Sequence, residues 1–289
     1  MNELVIAGRA PISLNTHKCM RKTRGGKIKT AAKSKSGLAI KLTIFILLGL
    51  TIYGFLTFDY KDINFVKAVS GTFENIKVLF GQPKLSSGSV STMLHALLVT
   101  FSLGVISTIF GAIIAVFGAI MCAKNIANPK VAIAVKSFAA FIRAVPTILW
   151  VLIFAVSAGL GSVAAAVGLT FHSAAYLIKA YSESIETMDE GAIEALKASG
   201  ASYWQIIFQA VLPSSISYMV AWTFLRFEIN FVNALAVGAA AGAGGIGFDL
   251  FMAGNFYFDL RELGFLTYII VAAVIVLEIV ATKVKAKVR

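Results

Sequence analysis

The chain has 289 residues, of which 58% are apolar and only 14% charged, and its mean hydropathy is +0.84. Soluble domains run at roughly 45–50% apolar and about 25% charged, so an ordinary soluble domain is excluded and an integral membrane protein is implied. The formal net charge of +12 does not point to nucleic acid, because it is concentrated at the ends and carries no interleaved aromatics where it is densest, between Arg9 and Lys41.

Residues 1–37 read as a basic cytoplasmic tail with Glu3 as its only acid. The apolar run 38–58 that follows is longer than the roughly 7–15 residues of a cleavable signal core, so it reads as a retained first span. About 20 mainly apolar residues cross a bilayer as a helix. On that measure the chain predicts six spans, at 38–58, 91–121, 133–158, 161–181, 209–235 and 263–282, and hence an all-α membrane protein. Residues 59–89 form an extracytoplasmic connector, with an amphipathic helix around 63–80 and a turn at Pro83 and Ser86-Ser87-Gly88-Ser89. Lys124, Lys130 and Lys136, around Asn128-Pro129, mark the next turn as cytoplasmic, and Gly159-Leu160-Gly161 makes a tight outer turn. Lys283, Lys285, Lys287 and Arg289 close the chain, so the positive-inside rule puts both termini in the cytoplasm. Gly104, Gly111 and Gly118 recur every seven residues on one helix face, where tight helix packing accounts for them.

Crossing by crossing, this orientation puts the polar stretch 183–213 in the cytoplasm. Helix–helix connections usually take about 2–8 residues; this one is longer and carries its own helix signals. Thr187-Met188-Asp189-Glu190 and Ser202-Tyr203-Trp204-Gln205 have the form of capping boxes, and Gly200 stands where a helix needs a left-handed stop. Two short helices with a bend follow. Ile193 and Leu196 share one face, as do Ile206, Ile207, Ala210 and Val211, Pro213 is predicted to break the second helix at the membrane entry, and Glu194, Lys197 and Ser199 remain on the exposed bend. Long structured connectors are usually functional, and this one is read as a docking element.

The segment Glu194-Ala195-Leu196-Lys197-Ala198-Ser199-Gly200, with Leu212-Pro213 beyond it, resembles the cytoplasmic coupling loop of permease subunits in ATP-binding-cassette importers, with Leu196 departing from a general Ala. The resemblance extends over roughly 90–285, the permease core. Phe141-Ile142-Arg143-Ala144-Val145-Pro146-Thr147-Ile148-Leu149-Trp150, then Arg226-Phe227-Glu228-Ile229-Asn230 and Gly242-Ala243-Gly244-Gly245-Ile246-Gly247-Phe248, look like the phosphonate and phosphite branch of that family. It implies a six-span pore formed with a second copy. It also implies two cytoplasmic ATPase subunits that take the coupling loops and use ATP and Mg, and an external solute-binding protein in a bacterial cell membrane. This chain would bind no cofactor itself.

Arg143, Arg226 and Glu228 lie within or at the edge of spans, where a central charge costs about 2.5–3.5 kcal/mol on insertion scales, so they must pair or face water. Arg226 and Glu228 are two apart and point to different sides, leaving two readings: a path whose guanidinium attracts a tetrahedral oxyanion, with Asn230 beside it, or an interhelical ion pair such as Glu228 with Arg143. Gly242, Gly244, Gly245 and Gly247 match a dinucleotide fingerprint without its βαβ context and read instead as an outer gate with backbone amides open to an anion. His17, His95, His172, Cys19 and Cys122 show no hydrolytic or metal spacing, and no phosphate-binding loop is present. The expectation is a transport subunit without a catalytic site or metal, serving an importer of phosphonate or a related oxyanion. The rivals are an importer of amino acids such as methionine and an ATPase-independent secondary transporter, although no internal repeat supports the latter.

Overall fold

The computed structural model describes residues 20–22, 28–30, 35–58 and 64–288. Strands β1 (Met20–Lys22) and β2 (Ile28–Thr30) pair antiparallel. The other regular elements among the described residues are helical. Most of the basic tail, with His17 and Cys19, lies outside the described residues. The chain divides into two compact units, Met1–Phe65 and Val66–Arg289. The first contains α1 (Lys35–Thr57), an apolar span with no buried residue. α2 (Phe65–Gly81), which begins at the unit boundary, is the amphipathic helix expected in the connector.

The second unit continues with α3 (Val90–Cys122), α4 (Pro129–Ala144), α5 (Thr147–Ala158), α6 (Ser162–Glu186), α7 (Gly191–Ala198), α8 (Tyr203–Ile206), a π turn (Ile207–Val211), α9 (Leu212–Ala241), α10 (Ile246–Asn255) and α11 (Leu260–Val288). Among the described residues five helical stretches are long and apolar enough to cross a membrane, and six if the bent pair α4–α5 counts as one.

That pair occupies the expected third span, 133–158, but is sharply bent within it. Pro146 has no N–H to extend the ladder and pushes Val145 to an extended backbone, so α4 stops and α5 departs at 92°. The freed Ile142 carbonyl accepts a hydrogen bond from Trp150 Nε1 at 2.8 Å. Pro213 is the converse case. It does not break its helix: the run from Tyr203 to Ala241 passes through the π turn, where Leu212 N–H reaches back to the Ile207 carbonyl. The widened turn takes up the proline at the second position of α9.

Small residues set how closely the helices approach. A Cβ added at Gly111 would stand 2.7 Å from Ser173 Cβ, and one at Gly118 would stand 2.7 Å from the Ile178 side chain, so this face of α3 seats α6 almost backbone to side chain. Gly104 faces the Phe231 backbone of α9 in the same way, at 3.3 Å. On α6, Gly168 admits Val151 of α5, whose backbone is 2.7 Å from the absent Cβ. α6 is therefore the hub, with Leu169, Leu177, Tyr181 and Ile185 fully buried.

At the end of the bundle away from α7 and α8, residues 82–89 are laced to the start of α11. Lys84 N–H donates to the Arg261 carbonyl at 3.1 Å, and Ser87 donates through its backbone and hydroxyl to Glu262. Asp259 caps α11 through the N–H groups of Arg261 and Glu262; the Ser86 hydroxyl first, and then these N–H groups, hold its carboxyl below the usual range. Ser89 caps α3 by accepting from Thr92 N–H.

Gly168→Ala should be overpacked by about 1–3 kcal/mol and lower the melting temperature of the detergent-purified protein. Gly71→Ala, whose new methyl meets nothing within 4 Å, should leave the melting temperature unchanged or slightly raised. Equal melting temperatures for Gly168→Ala and wild type would contradict this packing.

Candidate functional site

Two sites are built on α6, one at its cytoplasm-assigned end and one at its middle. The first is the segment α7–turn–α8. α7 ends in a Schellman arrangement: Gly200 adopts φ +82°, Ala201 N–H donates to the Leu196 carbonyl at 3.0 Å, and Gly200 N–H donates to that of Lys197 at 3.1 Å. A side chain at Gly200 would meet open space, so the glycine is required by backbone conformation and not by crowding. Ser202 and Gln205 form the expected capping box. The other box does not form: Glu190 caps α7 without a side-chain bond, and Asp189 Oδ1 takes the Gly191 N–H instead.

The apolar side of the segment is plugged into the bundle. Ile193, Ile206, Ile207 and Val211 are buried in one cluster with Ala119 and Ile120 of α3 and Leu177, Tyr181 and Ile185 of α6, and Leu196 and Leu212 pack against it. Glu194, Lys197 and Ser199 are exposed, as the sequence predicts, and so are Ala195, Gly200 and Pro213. Beside them Tyr203, Trp204 and Phe208 form an exposed aromatic row, with Trp204 and Phe208 stacked at 6.2 Å between centroids. The sequence does not single out Trp204, which there is only an interior position of the capping box. The end of α6 that leads into the segment is latched to α4 and to the turn before it. Glu186 accepts from Lys124 N–H at 2.9 Å and pairs with Lys136 at 2.5 Å, and Asn125 Nδ2 donates to the Ile185 carbonyl at 2.9 Å.

The second site is a buried polar network between α3, α6 and α9. Arg226 is 2% exposed, and its Nε donates to Ser173 Oγ at 3.0 Å. Its Nη2 lies 3.0 Å from His172 Nδ1; a guanidinium can only donate, so Nδ1 accepts and the ring proton sits on Nε2. The charge also lies over the Tyr176 ring, 5.0 Å from its centroid. Asn230 Nδ2 donates to Thr108 Oγ1 and to Ser173 Oγ, each at 2.8 Å, while Ser173 Oγ donates to the Leu169 carbonyl at 2.6 Å.

Arg226 and Asn230 are thus brought together, through partners that sequence reasoning had not linked: Thr108, His172, Ser173 and Tyr176. The available signal was a His-Ser pair in the middle of a predicted span, where polar side chains seldom lack a partner. Glu228 does point elsewhere, lining a cavity of about 270 Å³ between α9 and α11 with Asn233 and Glu278. Arg143 Nε donates to the Ala139 carbonyl at 3.3 Å, one turn back in α4.

The Gly-rich stretch is a seated turn. Gly242 ends α9 in the left-handed region, and Gly244 and Gly245 also have positive φ. Gly245 packs on Thr100 and Gly247 on the Leu235 backbone, both too closely for any Cβ. The Ile246 amide is taken by Thr100 Oγ1 at 3.1 Å and the Ala243 carbonyl by Ser162 at 2.7 Å. The amide of Ile246 is thereby withdrawn from any anion, and α10 folds back beyond the turn where the sequence suggested a simple gate.

A bundle of helices long and apolar enough to cross a membrane, with an exposed helix-turn-helix and a buried arginine network, defines a polytopic membrane protein. Residues 111–285 match the family described as binding-protein-dependent transport system inner membrane component, and the chain belongs to that family. It is 30% identical over 153 residues to the phosphate-import permease protein PhnE of Mycolicibacterium smegmatis, covering 53% of this chain and 29% of that protein. It is 31% identical over 158 residues to the phosphite transport system permease protein PtxC of Stutzerimonas stutzeri, covering 54% and 57%. The matches thus span little more than half of these relatives at most. Among solved structures, an inward-facing form of the MetNI methionine ABC transporter aligns with a TM-score of 0.64 at 22% identity, covering 71% of this chain and all of that one. That likeness carries the fold.

Ser173→Ala removes an acceptor shared by Arg226 and Asn230 and should cost about 1–3 kcal/mol, read as a lower melting temperature in detergent. Ser184→Ala, which loses only a bond to its own helix at Ala180, should cost less. The reverse order would show that the network does not hold α6 to α9.

Proposed function

We propose that this chain is the membrane-spanning permease subunit of an ATP-driven importer for phosphonate or a related phosphorus oxyanion. The observation that carries the reading is the α7–α8 segment: one face is locked into α3, α6 and α9, while Glu194, Ala195, Lys197 and Gly200 stand free of the bundle. Such a segment transmits an external push to the spans. Two cytoplasmic ATPase subunits would receive two copies of it, one from each chain of a permease dimer, and use ATP and Mg. An external binding protein would deliver the solute, and both termini would lie in the cytoplasm.

Closure of the ATPase pair would move α7 and α8. Their buried residues engage the ends of α3 and α6 directly, and the Glu186–Lys136 pair carries the motion to α4, toward the bend at Pro146. The chain itself then performs coupling and no bond chemistry. The choice of solute rests on the relatives: those matched over half of this chain are described as serving phosphate or phosphite. A methionine import permease of Bacillus subtilis is also similar, but over 32% of this chain, which keeps amino acids as the second reading. Arg226 supplies a cation of the right kind for an oxyanion, though it is shut in by His172, Ser173 and Tyr176, so a path through this point requires α6 and α9 to part.

In proteoliposomes with the ATPase and the binding protein, Gly200→Val should retain insertion and ATP hydrolysis but lose most solute uptake per ATP, because a β-branched residue resists φ +82° and shifts the bend. Unchanged uptake and unchanged ATPase stimulation would refute the coupling role. Failure of any ATPase to co-purify would favour a secondary transporter.

A further inference from the structure

We infer that α2 is an interfacial membrane helix whose apolar stripe lies among lipid acyl chains beside α11, so that the connector is a membrane-surface element and not a solvated loop. α2 has no buried residue. Val66, Val69, Phe73, Ile76 and Phe80 fall at helical spacing on one face, and all are exposed, Phe73 at 68%. Lys67, Glu74 and Asn75 lie on the opposite arc. A stripe of this kind on a short helix with a charged reverse face is the pattern of helices that lie in the plane of a bilayer interface.

Where the helix is fastened identifies the occupant. Its last turn docks on the beginning of the α11 span, with the Leu79 carbonyl seated on Gly264 so closely that a Cβ could not fit. Tyr268 Oη donates to the Phe80 carbonyl at 2.8 Å, and the two rings meet edge to face at 6.0 Å. Gly264 and Tyr268 are four and eight residues into α11, about 6 and 12 Å along its axis at 1.5 Å per residue. The end of α2 is therefore held at the depth of the first turns of a membrane span. Tyr268 is itself partly exposed on the flank of α11 that continues into Val271 and Ile275, so the stripe joins an apolar surface already turned to lipid. Partly covered Val78 and Leu79 face the protein; the stripe faces away from it.

The test is nitroxide scanning of the full chain in nanodiscs of phosphatidylethanolamine and phosphatidylglycerol, with Cys19→Ser and Cys122→Ala as background. Labels at Val69→Cys, Phe73→Cys and Ile76→Cys should collide several-fold more with oxygen than with a nickel chelate. Those at Lys67→Cys, Glu74→Cys and Asn75→Cys should show the reverse, the two sets alternating with the helix period. Equal nickel access on both faces would place α2 in water and overturn the proposal. Stripe labels immobilised and shielded from both reagents would show protein cover, such as a second copy, and would also overturn it. In the unmodified protein, a membrane-partitioning diazirine should label residues 66–80 well above the level found on α7. Labelling no higher than on α7 would count against the helix being in lipid. Depth is read without solute or ATPase, so the result is independent of the importer function.

Discussion

The fit of α6 into α3 is the constraint on which the rest depends. Helices in lipid gain little from burying apolar surface against each other, so association rests on close van der Waals approach and internal polar bonds. Gly111 and Gly118 supply the first by admitting Ser173 and Ile178 where any side chain would collide. Thr108, Ser173 and Asn230 supply the second a turn away, and the same Ser173 that touches Gly111 accepts from Arg226 and Asn230. Packing and polar satisfaction thus meet at one residue, and α9 is held to α6 through it.

α6 also ends at the α7–α8 segment. Its last turns, Tyr181 and Ile185, lie in the cluster that receives Ile193, Ile206 and Val211, and Glu186 closes the latch to Lys136. The exposed bend is thereby joined to the bundle through packed side chains and an ion pair. The bend itself is fixed by Gly200 and the Ser202–Gln205 box, both local backbone devices that hold without help from the bundle. The π turn before Pro213 follows directly on the capped α8.

What was legible in the sequence follows from the range of each signal. Spans, the Gly200 stop, the Ser202 box, the buried faces of α7 and the amphipathic α2 are set within one or two helical turns, and all were readable. The opposite effects of Pro146 and Pro213 were not, because the outcome depends on whether neighbouring carbonyls find a partner: Trp150 serves at the first, and a π turn absorbs the second. The arginine network was only half legible. Arg226 and Asn230 stood out as polar residues in a span, but Thr108 and Ser173 look like ordinary small residues until α3 and α6 are brought together. In the Gly-rich turn the close seating of Gly245 on Thr100 and of Gly247 on Leu235 was illegible for the same reason, while Gly242 and Gly244 face open space.

The central claim is that the exposed face of α7 is a docking surface for an ATPase on the cytoplasmic side. Photo-crosslinking from a benzophenone amino acid in place of Lys197, in membranes containing the whole transporter, tests this most directly. The account predicts one major adduct, with the nucleotide-binding subunit, whose yield changes when ATP is added. An adduct only with lipid or with the external binding protein would contradict it.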